Sequence, residues 1–290
     1  MKNKIKTDYA FCIIHFGNNK KYLEYEIYTI LMLKKNTQYD IVYLYSINDT
    51  PIEFVKIIKS LNVSVKSYND KNITYDIKKF NSHYKHFNTL RTCNYIFALK
   101  LINYKKICII ESDMIIMNNI DNIFNLNFPS ILYYLDKENI EENNKINKPN
   151  EELFKSSIVK SFVNGGVLLF KPSLHIFKKS ITNLKLIIDS NCIFPNESLF
   201  LYTMKNLYNL PIKYNLSQYY IDKFIHIKKD IIIYHFNNSI YKPLDIIKDN
   251  YINKDKKKIR KDIILFFKKN YYDIYKDFVE KNMNKLKNKN

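Results

Sequence analysis

The chain has 290 residues, 46% hydrophobic and 26% charged, which excludes a disordered or collagen-like polymer. Its 47 Lys and Arg against 28 Asp and Glu leave a net charge of +19, which raises nucleic acid, anionic membranes and phosphate-bearing ligands as partners. Arg91 and Arg260 are the only arginines, and the chain has 3 Gly and no Trp, so the charge reads as a lysine coat produced by compositional bias, and nucleic acid is disfavoured.

Residues 1–9 are polar and lead into a short apolar run ending at His15, too short for a signal-peptide core. No apolar run reaches the length of a membrane span. Cys12, Cys93, Cys108 and Cys192 form no Cys-x-x-Cys pair, and Cys12 and Cys108 sit inside apolar runs. The expectation is reduced, buried thiols in a cytoplasmic protein.

The first half alternates strand and helix. Phe11–His15 reads as a buried strand bounded by Gly17-Asn-Asn19, and Tyr22–Lys34 as a helix. Asp40–Ser46 is a strand, and Thr50-Pro-Ile-Glu53 reads as a capping box with Thr50 as N-cap. Val63–Ser67 is a strand, a long helix spans about His83–Asn103, and Ile107–Ile110 is a further buried strand. This order predicts a mostly parallel sheet with helices on both faces and ligands at the carboxyl ends of the strands. Residues 136–152 are mostly polar and read as an excursion or flexible loop. Beyond them come a strand at Val167–Phe170, a helix after Pro172-Ser173, a helix near Glu197–Leu207 and a strand at Ile231–Tyr234. The division is a first domain over 1–247 and a basic helical segment over 248–290, whose Ile263, Phe267, Tyr271, Ile274 and Phe278 fall on one stripe. That stripe fits packing on the domain or contact with an anionic membrane surface.

Two candidate groups sit at strand ends. Glu111-Ser112-Asp113 directly follows the buried strand Ile107–Ile110, and its oxygen ligands suit Mg²⁺ or Mn²⁺, which would bridge to a diphosphate. His235 ends an Ile-rich run, and an imidazole beside carboxylates tilts the choice to Mn²⁺. Lys242 could neutralise phosphate charge. Asn164-Gly165-Gly166 holds two of the three glycines, which points to positive φ or a close approach. The lone Gly17 is no dinucleotide fingerprint, and no P-loop, zinc spacing or Ser/His/Asp order is present.

In order along the chain, these pieces resemble the glycogenin-like, family 8 glycosyltransferases. Lys106–Phe124 is similar to the family's strand, Asp-x-Asp and Asn-Ile-Asp segment; Phe162–Ser173 resembles its Phe-Asn-Ser-Gly-Val motif; Phe194–Phe200 resembles its Asp-Gln-x-x-Leu helix start. Tyr214-Asn-Leu-Ser217 fits as well, and Ile233–Phe236 with Lys242-Pro243 resembles the Val-His-Phe and Lys-Pro-Trp ending. The resemblance spans about residues 9–245. It implies the α/β fold called GT-A, with a C-terminal helical extension. It implies Mn²⁺ (or Mg²⁺) on Glu111, Asp113 and His235, and a UDP-sugar donor whose diphosphate meets Lys242. Asn164 would touch the donor sugar, with Gly165 beside it and Ser112 in the donor-binding set. Asn196 and Glu197 would lie near the anomeric carbon, and Ile14, His15, Phe16 and Tyr22 would frame the uridine. Arg91 best matches the family's basic residue before the metal strand, about one helical turn early. Glu111 stands for the usual first Asp, Asn196-Glu197 for Asp-Gln, and Leu244 for Trp.

The implied reaction is retaining transfer of a hexose, UDP-glucose being one donor, to a hydroxyl of a glycan, protein or small molecule, with glycogenin-like self-transfer as a sub-case. A homodimer is the default assembly. The alternative is a basic protein binding nucleic acid or a membrane surface on a degenerate transferase scaffold.

Overall fold

The computed structural model describes residues 7–71, 90–134, 140–148, 150–159, 162–190, 192, 194–217, 230–237, 269 and 276–278. The chain builds β1 (Tyr9–His15), α1 (Lys20–Asn36), β2 (Asp40–Ser46), α2 (Ile52–Ser60) and β3 (Ser64–Tyr68), then a 3₁₀ helix (Leu90–Lys100) leading to β4 (Lys106–Ile110). These strands pair in parallel in the order β3-β2-β1-β4. They end on one edge, at Tyr68, Ser46, His15 and Ile110.

Side chains alternate across this sheet as a strand requires. Phe11, Ile13, Cys108 and Ile110 point into the core layer that holds Leu23, Ile27 and Ile30 of α1. Ala10, Cys12, Ile107 and Ile109 point into the opposite layer. Both faces are covered, which is why these strands read as near-continuous apolar runs.

After β5 (Met114–Ile116) and β6 (Ser130–Tyr133) come α3 (Asn150–Val159), β7 (Val163–Phe170), α4 (Leu174–Asp189), α5 (Pro195–Thr203) and β8 (Tyr208–Asn209). β7 lies antiparallel between β4 and β6, and β8 follows β6 in parallel, completing a seven-stranded sheet among the described residues. β9 (Leu216–Ser217) and β10 (Ile233–His235) join β5 in a second, three-stranded sheet of order β5-β10-β9. No helix among the described residues is long and apolar enough to cross a membrane.

Several sequence expectations need correction. Thr50 does not cap α2: Pro51, in extended backbone, occupies the N-cap position without a side-chain cap hydrogen bond, and the buried Thr50 hydroxyl makes none. The described part of the helix expected over 83–103 is wound as 3₁₀ from Leu90. The helix expected to reach Leu207 stops at Thr203, and Asn206 turns the chain with φ of 53° into β8. Within 136–152, residues 140–148 form a mostly exposed loop that is pinned to the sheet. Ile140 and Ile146 are buried, the Asn143 amide donates to the Asn209 carbonyl at 2.8 Å, Lys145 bridges Tyr208, and α3 starts at Asn150. The two isoleucines anchor a sequence that its polar composition alone presents as loop. Lys242 lies outside the described residues. So does most of 248–290, but Phe278 of its apolar stripe is partly buried against the core.

Candidate active site

Two structural devices converge on the carboxyl edge of the sheet. The first is a break in β7. Opposite β6 its register jumps from Leu168 against Ile131 to Asn164 against Leu132, so Gly165, Gly166 and Val167 bulge out of that pairing. Opposite β4, β7 continues past the strand end, and the Glu111 N–H donates to the Gly166 carbonyl at 3.0 Å. The second device is the small sheet. Its register sets His235 against Met114 and against Ser217, and the Phe236 N–H donates to the Asp113 carbonyl at 3.0 Å. Residues remote in sequence thereby meet at the end of β4.

Glu111, Asp113 and His235 each offer one ligand atom, and these atoms lie within 4.8 Å of one another. His235 Nε2 is 3.2 Å from Asp113 Oδ1 and 3.5 Å from Glu111 Oε2. The ring is buried, Asp113 is partly covered and Glu111 faces solvent. Nε2 makes no hydrogen bond although it is enclosed. A buried nitrogen without a hydrogen-bond partner beside two carboxylates calls for an explanation, and a cation bound by all three supplies one. The donor set of two hard oxygens and one imidazole fits Mn²⁺ or Mg²⁺.

Gly166 is what lets the ring sit there. A Cβ at this position would lie 2.4 Å from His235 Cε1, 2.6 Å from Met114 Cε and 2.8 Å from His235 Nδ1. Its need is therefore close approach, not positive φ. Gly165 is less crowded, with Glu197 Cγ at 3.1 Å and Asn196 Nδ2 at 3.3 Å from the same construction. The Gly165 N–H donates to Glu197 Oε1 at 2.9 Å, which fastens the first turn of α5 to the bulge. Asn164, mostly buried, accepts through Oδ1 from the Gly166 N–H at 2.9 Å. The structure thus gathers Glu111, Asp113, His235, Asn164, Gly165, Asn196 and Glu197 in one place. Ser112 is tied to α1 by its carbonyl, which accepts from Thr29 Oγ1 at 3.2 Å.

The end of β1 forms an adjoining region. Ile14 packs into the core and Tyr22 is exposed at the start of α1, which Asn19 caps by accepting from the Lys21 N–H at 2.9 Å. Gly17 turns the chain with φ of 87°, and its N–H donates to Asp49 Oδ1 at 3.0 Å. Arg91 lies over the Phe16 ring, 4.8 Å from its centroid, and is clasped by Asp49 and by Asp70 at 3.2 Å. The hydrogen bond from Arg91 holds the Asp49 carboxyl below the usual carboxylate range against its partial burial. Arg91 is thus placed beside Phe16, but as the partner of two carboxylates rather than as a bare cation. Asp49 and Asp70 escaped the sequence reading; the turn Asn48-Asp-Thr50 at a strand end was the available signal.

His15 departs furthest from its expected place. Its ring is buried: Nδ1 lies 2.8 and 2.9 Å from the two Glu26 oxygens, and Nε2 is 3.0 Å from the Gly17 carbonyl. Tyr43 also donates to Glu26 Oε2, at 2.7 Å. Burial lowers the His15 pKa, but Glu26 and the hydrogen bonds outweigh it and raise the pKa above the ordinary imidazole value. The side chain therefore stiffens the Gly17 turn from behind instead of facing a ligand.

Solved structures similar in architecture include glycosyltransferases. A galactosyltransferase, LgtC, in complex with donor and acceptor sugar analogues, superposes with a TM-score of 0.53 at 11% identity, covering 81% of this chain and 88% of that one. The bifunctional glycosyltransferase WbbM gives 0.53 at 15% identity over 84% of this chain, which spans about half (48%) of WbbM. The fold is GT-A. The GT-A sheet explains why the two regions above share an edge: it is where β1 and β4, neighbours in parallel, both end. Among curated proteins, an uncharacterized protein of Acanthamoeba polyphaga mimivirus is 25% identical over 287 residues, 95% of each chain. No protein-family model matches.

Proposed function

We propose that this GT-A chain is a metal-dependent retaining glycosyltransferase that moves a hexose from a UDP-sugar to a hydroxyl acceptor. The observation that carries the reading is the Glu111, Asp113 and His235 set at the carboxyl edge of the sheet, with an enclosed, hydrogen-bond-free Nε2 among the carboxylates. A degenerate binding scaffold has no need of such a set.

Glu111, Asp113 and His235 would hold Mn²⁺ or Mg²⁺, which supplies charge neutralisation on the diphosphate. Lys242 adds a second positive charge to the UDP leaving group where negative charge develops. Asn164 orients the donor sugar. Asn196 and Glu197, fixed against Gly165, flank the anomeric carbon. Phe16, with Arg91 stacked on it, lines the nucleoside side. The bond from the anomeric carbon to the diphosphate oxygen breaks, the acceptor oxygen bonds to that carbon from the same face, and the acceptor proton passes to the departing phosphate oxygen. No strong protein base is needed.

The test is thermal shift with a panel of nucleotide-sugars and Mn²⁺, followed by donor hydrolysis. Stabilisation by a UDP-sugar with Mn²⁺ is expected, and Asp113→Ala should abolish the metal-dependent hydrolysis. Hydrolysis unchanged in Asp113→Ala would overturn the assignment. Self-transfer is read separately, as hexose increments in intact mass after incubation with UDP-glucose.

A further inference from the structure

Asn215 stands between the metal cluster and Asn164. It immediately precedes β9 and is fully buried. Its Oδ1 is 2.9 Å from His235 Nδ1. Its Nδ2 is 2.9 Å from Asn164 Oδ1 and 3.3 Å from the Asn164 carbonyl oxygen.

The polarity of this chain of groups is fixed from one end. The Gly166 N–H can only donate, so the Asn164 atom that receives it is Oδ1. A carbonyl oxygen cannot donate, so the Asn215 atom facing both Asn164 oxygens is the NH₂. The other end of the Asn215 amide is then an acceptor, and His235 must donate to it from Nδ1. An imidazole with its proton on Nδ1 leaves the lone pair on Nε2, the buried atom between Asp113 and Glu111 that has no hydrogen-bond partner. On the other side, both acceptor directions of Asn164 Oδ1 are filled, so Asn164 offers its Nδ2 as a donor.

We infer that Asn215 is a positioning residue: it locks His235 in the Nδ1–H tautomer that makes Nε2 a metal ligand, and it sets Asn164 as a hydrogen-bond donor to the nucleotide-sugar. The inference rests on the metal-dependent reading of this site. Outer partners of this kind commonly govern metal affinity about 10- to 100-fold.

The experiment has two parts. In the metal-free protein, proton–nitrogen correlation of the His235 ring, assigned by comparison with His235→Gln and recorded well above the imidazole pKa, reports the tautomer directly. The Nδ1–H form is expected; the Nε2–H form overturns the inference. Mn²⁺ affinity is then read by electron paramagnetic resonance without nucleotide. Asn215→Ala should bind at least about tenfold more weakly. Asn164→Ala retains a main-chain acceptor for Asn215, so its Mn²⁺ affinity should stay within about twofold while its UDP-sugar affinity falls. A folded Asn215→Ala with wild-type Mn²⁺ affinity overturns the inference alone. A wild-type protein that binds no Mn²⁺ overturns the metal-dependent reading and the inference with it. If Asn215→Ala does not fold, the wild-type tautomer decides.

Discussion

Gly166→Ala is the sharpest perturbation the site allows. The added methyl would overlap the His235 ring at 2.4 and 2.8 Å and the Met114 methyl at 2.6 Å. Met114 can swing its terminal carbon aside. The ring cannot follow freely, because β10 is paired on both sides and Nδ1 is bound to Asn215. Relief must come from displacing the ring or separating β7 from the small sheet. Overpacking of this kind costs about 1–3 kcal/mol. At about 2–4 °C per kcal/mol for a large domain, melting should fall by about 2–12 °C. A displaced Nε2 should also weaken Mn²⁺ binding about 10- to 100-fold, the range for perturbed ligand orientation. Melting and titration calorimetry with Mn²⁺ measure the two effects on one sample. Gly165→Ala is the internal control: its contacts begin at 3.1 Å and involve side chains that can yield, so its metal affinity should change less. A Gly166→Ala protein with wild-type melting and wild-type Mn²⁺ affinity would refute the reasoning.

Gly17→Ala meets no atom within 4 Å, but φ of 87° penalises any L side chain. It should cost about 1–2 kcal/mol in chemical denaturation with little change in Mn²⁺ affinity, and a stabilised variant would contradict the strained turn. The raised His15 pKa makes the His15–Glu26 pair most stabilising when His15 is protonated. The advantage of wild type over Glu26→Gln should be full just below about pH 6.5 and shrink as pH rises through the folded His15 pKa. Urea melts across that window measure it, and a constant gap would count against the pair. Burial pushes the Cys12, Cys93, Cys108 and Cys192 thiols up, so none should react with iodoacetamide until the protein unfolds. Rapid labelling of a native cysteine would show that its layer opens.

Strands β1, β2 and β4 were legible because parallel strands covered on both faces leave unbroken apolar runs in the sequence. Glu111 and Asp113 were legible because they directly follow such a run, and His235 because it ends another. The glycine pair stood out against a glycine-poor background, although only the structure distinguishes close approach from positive φ. His15 is buried against Glu26, and the signal for that pairing was present in the sequence. Period-two alternation sets it on the face of Phe11 and Ile13, and Glu26 falls on the apolar stripe of α1 with Leu23, Ile27 and Ile30. Reading both polar residues on facing apolar surfaces would have paired them. Asn215 lay within Tyr214-Asn-Leu-Ser217, a segment of the family resemblance, but nothing local gave its role. Its importance comes from the pairing of three short strands far apart in sequence, which no local pattern encodes. The order within 140–148 was hidden for a similar reason: two isoleucines among polar residues reveal an anchor only once β8 is there to receive them.

The pairing of β10 with β5 has a consequence for how the molecule comes together. It closes a loop over much of the chain, and such closure is entropically dearer than joining neighbouring strands. Contacts of long sequence separation tend to assemble slowly. The β1-β2-β3 part of the parallel sheet can pair from neighbouring segments, whereas β4 and, later still, His235 join from far along the sequence. A nascent chain that has emitted both carboxylates still lacks the imidazole and Asn215. Any cation held by all three ligands would then select the finished topology over partly assembled forms, fastening a strand of only three residues.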